Sequence, residues 1–60
     1  MDKTKLILKY GEYVFTKKTS KEIIKMIEDI NFITNKKIFI EVDEGKYIEL
    51  GCLQAIEDLY

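Results

Sequence analysis

At 60 residues the chain has room for one small domain, and it buries only about 60% of the surface it exposes when unfolded, so its core needs a supplement. One cysteine, Cys52, and no histidine exclude a disulfide framework and a histidine-based metal site, which leaves a second subunit as the supplement to expect. Ten lysines with no arginine stand against eleven acids for a net charge of −1, a balance that speaks against a surface given over to phosphate binding.

That charge is unevenly spread. Residues 1–37 hold nine lysines and five acids, whereas residues 38–60 hold one lysine and six acids. The two halves are expected to attract each other within one domain, or to meet complementary patches on a partner. Ten isoleucines and no proline suggest coding in a low-GC bacterium or one of its phages. The lone cysteine fits a reducing compartment, no apolar run is long enough to span a bilayer, and residues 1–9 lack the apolar block of a secretory signal. The expected setting is the bacterial cytoplasm, without membrane contact.

In chain order, Leu6, Leu8 and Tyr10 alternate with Ile7 and Lys9, and Tyr13 and Phe15 alternate with Val14 and Thr16. Gly11-Glu12 between them suits a two-residue type II′ turn, which pairs Tyr10 with Tyr13 and Leu8 with Phe15. Thr19 and Glu22 have the spacing of a capping box, so a helix is expected to start there. Ile23, Met26, Ile27 and Ile30 recur on one side of it, with Ile24 widening the stripe. Phe32 and Ile33 are expected to close the helix and Asn35 to turn the chain.

The stretch 37–50 is the most legible. Ile38, Ile40 and Val42 alternate with Phe39 and Glu41, and Ile48 and Leu50 with Tyr47 and Glu49. A three-residue loop, Asp43-Glu44-Gly45, pairs Val42 with Lys46, Ile40 with Ile48 and Ile38 with Leu50, and collects every branched aliphatic on one face. Beyond Gly51, the spacing of Leu53, Ile56, Leu59 and Tyr60 predicts a short helix over 52–60, marginal on its own at nine residues. The expected architecture is α+β, in the order ββαββα: a four-stranded antiparallel sheet from two hairpins, one long amphipathic helix and a short C-terminal helix, making a single domain over residues 1–60.

No residue constellation points to catalysis. Histidine and arginine are absent, and no serine or cysteine stands beside a candidate base. Cys52 reads as a small apolar residue beside Leu53. Glu41, Asp43, Glu44 and Glu49 lack the ligand pattern of a calcium loop, so neither metal nor cofactor is expected. Lys3, Lys5, Lys9, Lys17, Lys18 and Lys21 near Tyr10 and Tyr13 make a nucleic-acid surface a secondary reading, though lysines also protect sheet edges from aggregation. A structural subunit of a larger assembly is a third.

Binding by surface shape is the leading reading. Phe39, Tyr47, Ile7 and Val14 fall on the reverse of the two hairpins, where the short last helix or a second copy must cover them. Phe39, Tyr47, Tyr10, Tyr13 and Tyr60 are the candidate contact residues, with Glu41 and Glu49 beside them. In size, composition and lack of catalytic residues the chain resembles the short accessory proteins of phages of low-GC bacteria, which include inhibitors of host enzymes and of anti-phage systems such as Hachiman. The resemblance implies inhibition by stoichiometric occlusion of a working surface on a larger bacterial protein, while the spare apolar face and small core lead us to expect a homodimer.

Overall fold

A computed structural model describes residues 1–30 and 37–59. The first two strands, β1 (Thr4–Leu8) and β2 (Tyr13–Thr16), form a hairpin whose register pairs Leu6 with Val14 and Ile7 with Tyr13. The expected pairs Tyr10–Tyr13 and Leu8–Phe15 are not made. A 3-10 turn over Lys9–Gly11 joins the strands, closed by a hydrogen bond from Leu8 N to Glu12 O at 2.8 Å. The turn is therefore centred on Tyr10, and the register differs from the expected one by an odd number of residues. Side chains alternate with period two, so an odd shift reverses the face of β2. Val14 and Thr16 turn inward beside Leu6, while Tyr13 and Phe15 turn outward beside Lys5 and Ile7.

Helix α1 (Ser20–Glu28) begins as its sequence requires. Thr19 Oγ1 accepts from Glu22 N at 3.2 Å and Glu22 Oε2 accepts from Thr19 N at 3.3 Å, so each side chain satisfies a backbone donor that the first turn leaves orphaned. Ile23 is fully buried, and Met26, Ile27 and Ile30 pack against the core. Ile24 does not widen the buried stripe, because it faces solvent. The roles expected of Phe32, Ile33 and Asn35 lie outside the described residues.

Strands β3 (Phe39–Asp43) and β4 (Lys46–Glu49) form the second hairpin, with Ile40 opposite Ile48 as expected, Leu50 N bonded to Ile38 O at 2.8 Å, and Gly45 at φ +74°, but the loop is the two residues Glu44-Gly45 and not Asp43-Glu44-Gly45, since Asp43 belongs to β3. One pair is corrected. Asp43 rather than Val42 stands opposite Lys46, because Val42 is the extra residue of a bulge.

The largest departure is at the C-terminal end, where residues 53–58 form a strand and not a helix. After a 3-10 turn over Leu50–Cys52, β5 (Leu53–Asp58) pairs antiparallel with β1, Ile56 opposite Leu6 and Leu53 opposite Leu8. The register shifts at Ile7/Leu8, which leaves Gln54 unopposed and brings Leu53 and Ile56 to the core although they are three residues apart. A bulge thus imitates the i, i+3 spacing of a helix. In this position β5 pairs the second edge of β1 and makes it the central strand of its sheet, which a nine-residue helix could not do.

Among the described residues the fold is therefore five strands in two antiparallel sheets, β2-β1-β5 and β3-β4, with one α-helix, in place of the expected four-stranded sheet with two helices. Leu6, Ile23, Ile40, Val42 and Ile48 make the core between the sheets and the helix. Two buried threonines tie the parts together. Thr16 Oγ1 donates to Val42 O and accepts from Lys18 N at 3.1 Å, and Thr4 Oγ1 donates to Lys18 O at 2.8 Å. Asp43 Oδ1 accepts from Lys17 N at 3.1 Å, and Lys46 Nζ donates to Phe15 O at 3.3 Å, so the end of β2 is fastened to the second hairpin by side chains. Among the described residues no helix is long and apolar enough to cross a membrane.

Candidate protein-contact surface

Because Ile40, Val42 and Ile48 fill the core, the opposite side of β3-β4 must face away from it. Phe39 is opposite Glu49 and Tyr47 opposite Glu41, so aromatic and acidic side chains alternate across this outward face. Phe39 is 60% exposed and Tyr47 61%. Hydrogen bonding to Glu41 and, next, the charge of that carboxylate raise the Tyr47 phenol above its ordinary pKa, while Glu41 Oε2 also accepts from Gly45 N at 3.1 Å. One carboxylate thus serves the hairpin turn through Gly45 N and sets the electrostatic surroundings of the tyrosine.

The back of the three-stranded sheet is a second outward face. Tyr13 and Phe15 meet edge to face with ring centroids 5.4 Å apart, and Lys5 Nζ lies 4.6 Å from the Tyr13 centroid. Tyr13 is exposed, with Phe15 and Lys5 rather than Tyr10 as its neighbours. The expected pairing places all of β2 the wrong way round, Tyr13 and Phe15 on the apolar face with Leu8, and Val14 on the reverse; the signal that corrects it is the turn centre, which fixes the parity of β2.

Tyr10 sits apart from both faces in a way no alternation could reveal. Its φ is +64° and its ψ +26°, its neighbour Gly11 is at φ +76°, and its side chain is 96% exposed. A left-handed backbone is ordinary for glycine or asparagine and unfavourable for tyrosine.

The structure brings Tyr10 and Phe39 to the same end of the molecule. Leu8 pairs with Leu53, so the turn after Leu8 and the turn before Leu53 lie side by side. Cys52, in the second of these turns, has its Sγ 3.5 Å from Glu49 Oε2, and Glu49 stands opposite Phe39. Partial burial first, and then the Glu49 carboxylate, raise the Cys52 thiol pKa; Glu12 adds to the rise and Lys9 opposes it. Tyr47 and Glu41 lie farther along the hairpin toward the Asp43–Lys46 turn, and Tyr60 lies outside the described residues. The acids once considered as a cluster do not act together, since Asp43 Oδ1 ties Lys17, Glu41 Oε2 ties Gly45 and Glu49 Oε2 meets Cys52. No family model, curated protein or solved structure matches the chain.

Proposed function

We propose that the chain is a non-enzymatic protein-binding module, a homodimeric inhibitor that occludes a working surface of a larger bacterial protein in stoichiometric amounts, and that a phage or mobile element encodes it against a host or anti-phage defence protein. The observation that carries this reading is the outward face of β3-β4, where Phe39 and Tyr47 stand exposed opposite Glu49 and Glu41 on a paired hairpin. Aromatic side chains give large contact area at low entropic cost, and placing them on a strand rather than a loop lowers the ordering that binding requires. The sequence adds to it, having neither histidine nor arginine for acid–base or anion chemistry.

The nucleic-acid reading is the weaker one. A base-stacking platform needs open ring faces, whereas Lys5 covers one face of Tyr13 and Phe15 meets it edge to face.

Retention of one host protein by the tagged chain, lost in Phe39→Lys and in Tyr47→Lys at unchanged circular dichroism, is the expected result. Retention of that protein by both variants, or no retained protein with the wild type, overturns the reading.

A further inference from the structure

The outward face of β3-β4 is poorly suited to meet its own copy. It carries Glu41 and Glu49, and laid against itself about a two-fold axis it would bring four carboxylates together. A two-fold contact sets residue i of one copy against residue j of the other and the reverse, so a surface with a cation and an anion side by side can satisfy both across the axis. The end formed by the two 3-10 turns carries such a pair: Lys9 and Glu12, both exposed, flank Tyr10. Tyr10 itself is held in a backbone conformation unfavourable for its type, and at 96% exposure its ring does nothing for the fold. Strain with no compensation inside the chain points to a contact outside it.

We propose that two copies pair end to end through this tip, each Tyr10 packing on the other copy's Leu50–Cys52 turn and each Lys9 meeting the other copy's Glu12. The pairing rests on the protein-binding reading above and deepens it, for it uses the tip and leaves Tyr47 and Glu41, farther along the hairpin, open to a target in both copies. Two copies joined this way present two such contact sites from one particle.

Sedimentation equilibrium of the full chain over a concentration series tests the pairing. The wild type is expected to approach twice its 7.1 kDa mass. Tyr10→Asn keeps a residue suited to the left-handed turn and is expected to weaken dimerisation by about tenfold or more. Lys9→Glu is expected to weaken it through like charges, and Lys9→Glu with Glu12→Lys to restore it. A wild type that remains monomeric throughout, a Tyr10→Asn variant that pairs as well as the wild type, or a charge swap that fails to restore pairing overturns the proposal. The two readings fail separately: Tyr47→Lys is expected to lose the target while keeping the dimer mass, and a monomer that still holds its target through Tyr47 overturns the pairing and the homodimer but leaves the target-binding reading standing.

Discussion

The two hairpins solve the same problem in different ways. Each must reverse the chain with a residue at positive φ. The second places Gly45 there, at +74°, and fastens the turn with Glu41 and, across the sheets, with Thr16 and Lys46. The first has its glycine too, Gly11 at +76°, but sets Tyr10 beside it at +64° with the ring in solvent. One turn follows the chemistry of its type and is built into the core seam, while the other departs from it and is built into nothing. Where local rule and observed structure part without a packing gain, the departure marks a residue kept for something other than folding.

The strongest test of this contrast is at the seam. Thr16→Val keeps the shape of the side chain but leaves Val42 O and Lys18 N without their partner in a buried place, and it is expected to destabilise the fold by about 1–3 kcal/mol in urea titration. For a 60-residue chain that is a large share of the total, since cores this small rarely supply more than about 3–5 kcal/mol. A change within experimental error would mean that the hairpins hold together by aliphatic packing alone.

Next in size is Gly45→Ala. A Cβ at Gly45 meets nothing within 4 Å, so the cost is that of the left-handed backbone, about 1–2 kcal/mol. Tyr10→Asn should move the other way, stabilising the monomer by about 0.5–1 kcal/mol, because asparagine tolerates this conformation better. Both are read from thermal or urea unfolding, at a concentration low enough that any dimer has dissociated. If Tyr10→Asn destabilises instead, the tyrosine serves the fold and the contrast between the turns disappears.

The same contrast explains which parts of the fold were legible in the sequence. Face parity worked for 37–50 because Gly45 marks the turn and a one-residue slip would expose Ile40 and Ile48. The capping box worked because Thr19 and Glu22 act within one turn, where tertiary packing has little to add. Parity failed for the first hairpin because Gly11 suggested a two-residue turn centred between Gly11 and Glu12, whereas the chain centres a longer turn one and a half residues earlier, on Tyr10, a shift of three in register and so a change of face. Residues 52–60 failed for a different reason: Leu53 and Ile56 share a side only through a bulge opposite β1, and a bulge leaves no trace in the hydrophobic period. Of the contact residues, Phe39, Tyr47, Glu41 and Glu49 fall on the outward side that alternation assigned them, whereas the nearness of Tyr10 to Phe39 depends on strand pairing 40 and more residues apart in sequence and was out of reach.

The smallest expected effect probes that nearness without touching stability. Burial and the Glu49 carboxylate hold the Cys52 thiol above its ordinary pKa, so at mildly alkaline pH less of it is thiolate and alkylation by iodoacetamide should run slower than for an unhindered thiol. The sign reverses when the negative neighbour goes: Glu49→Gln should quicken the reaction, and Glu12→Gln should do so more weakly. Lys9→Gln removes the one charge that favours the thiolate and should slow it. Only a molecule in which the Tyr10 turn lies beside Cys52 ranks the three variants in that order, because Lys9 and Glu12 are more than 39 residues away along the chain and act on the thiol through space. Equal rates for Lys9→Gln, Glu12→Gln and the wild type would separate the two turns, and with them the single end on which Tyr10 and Phe39 meet.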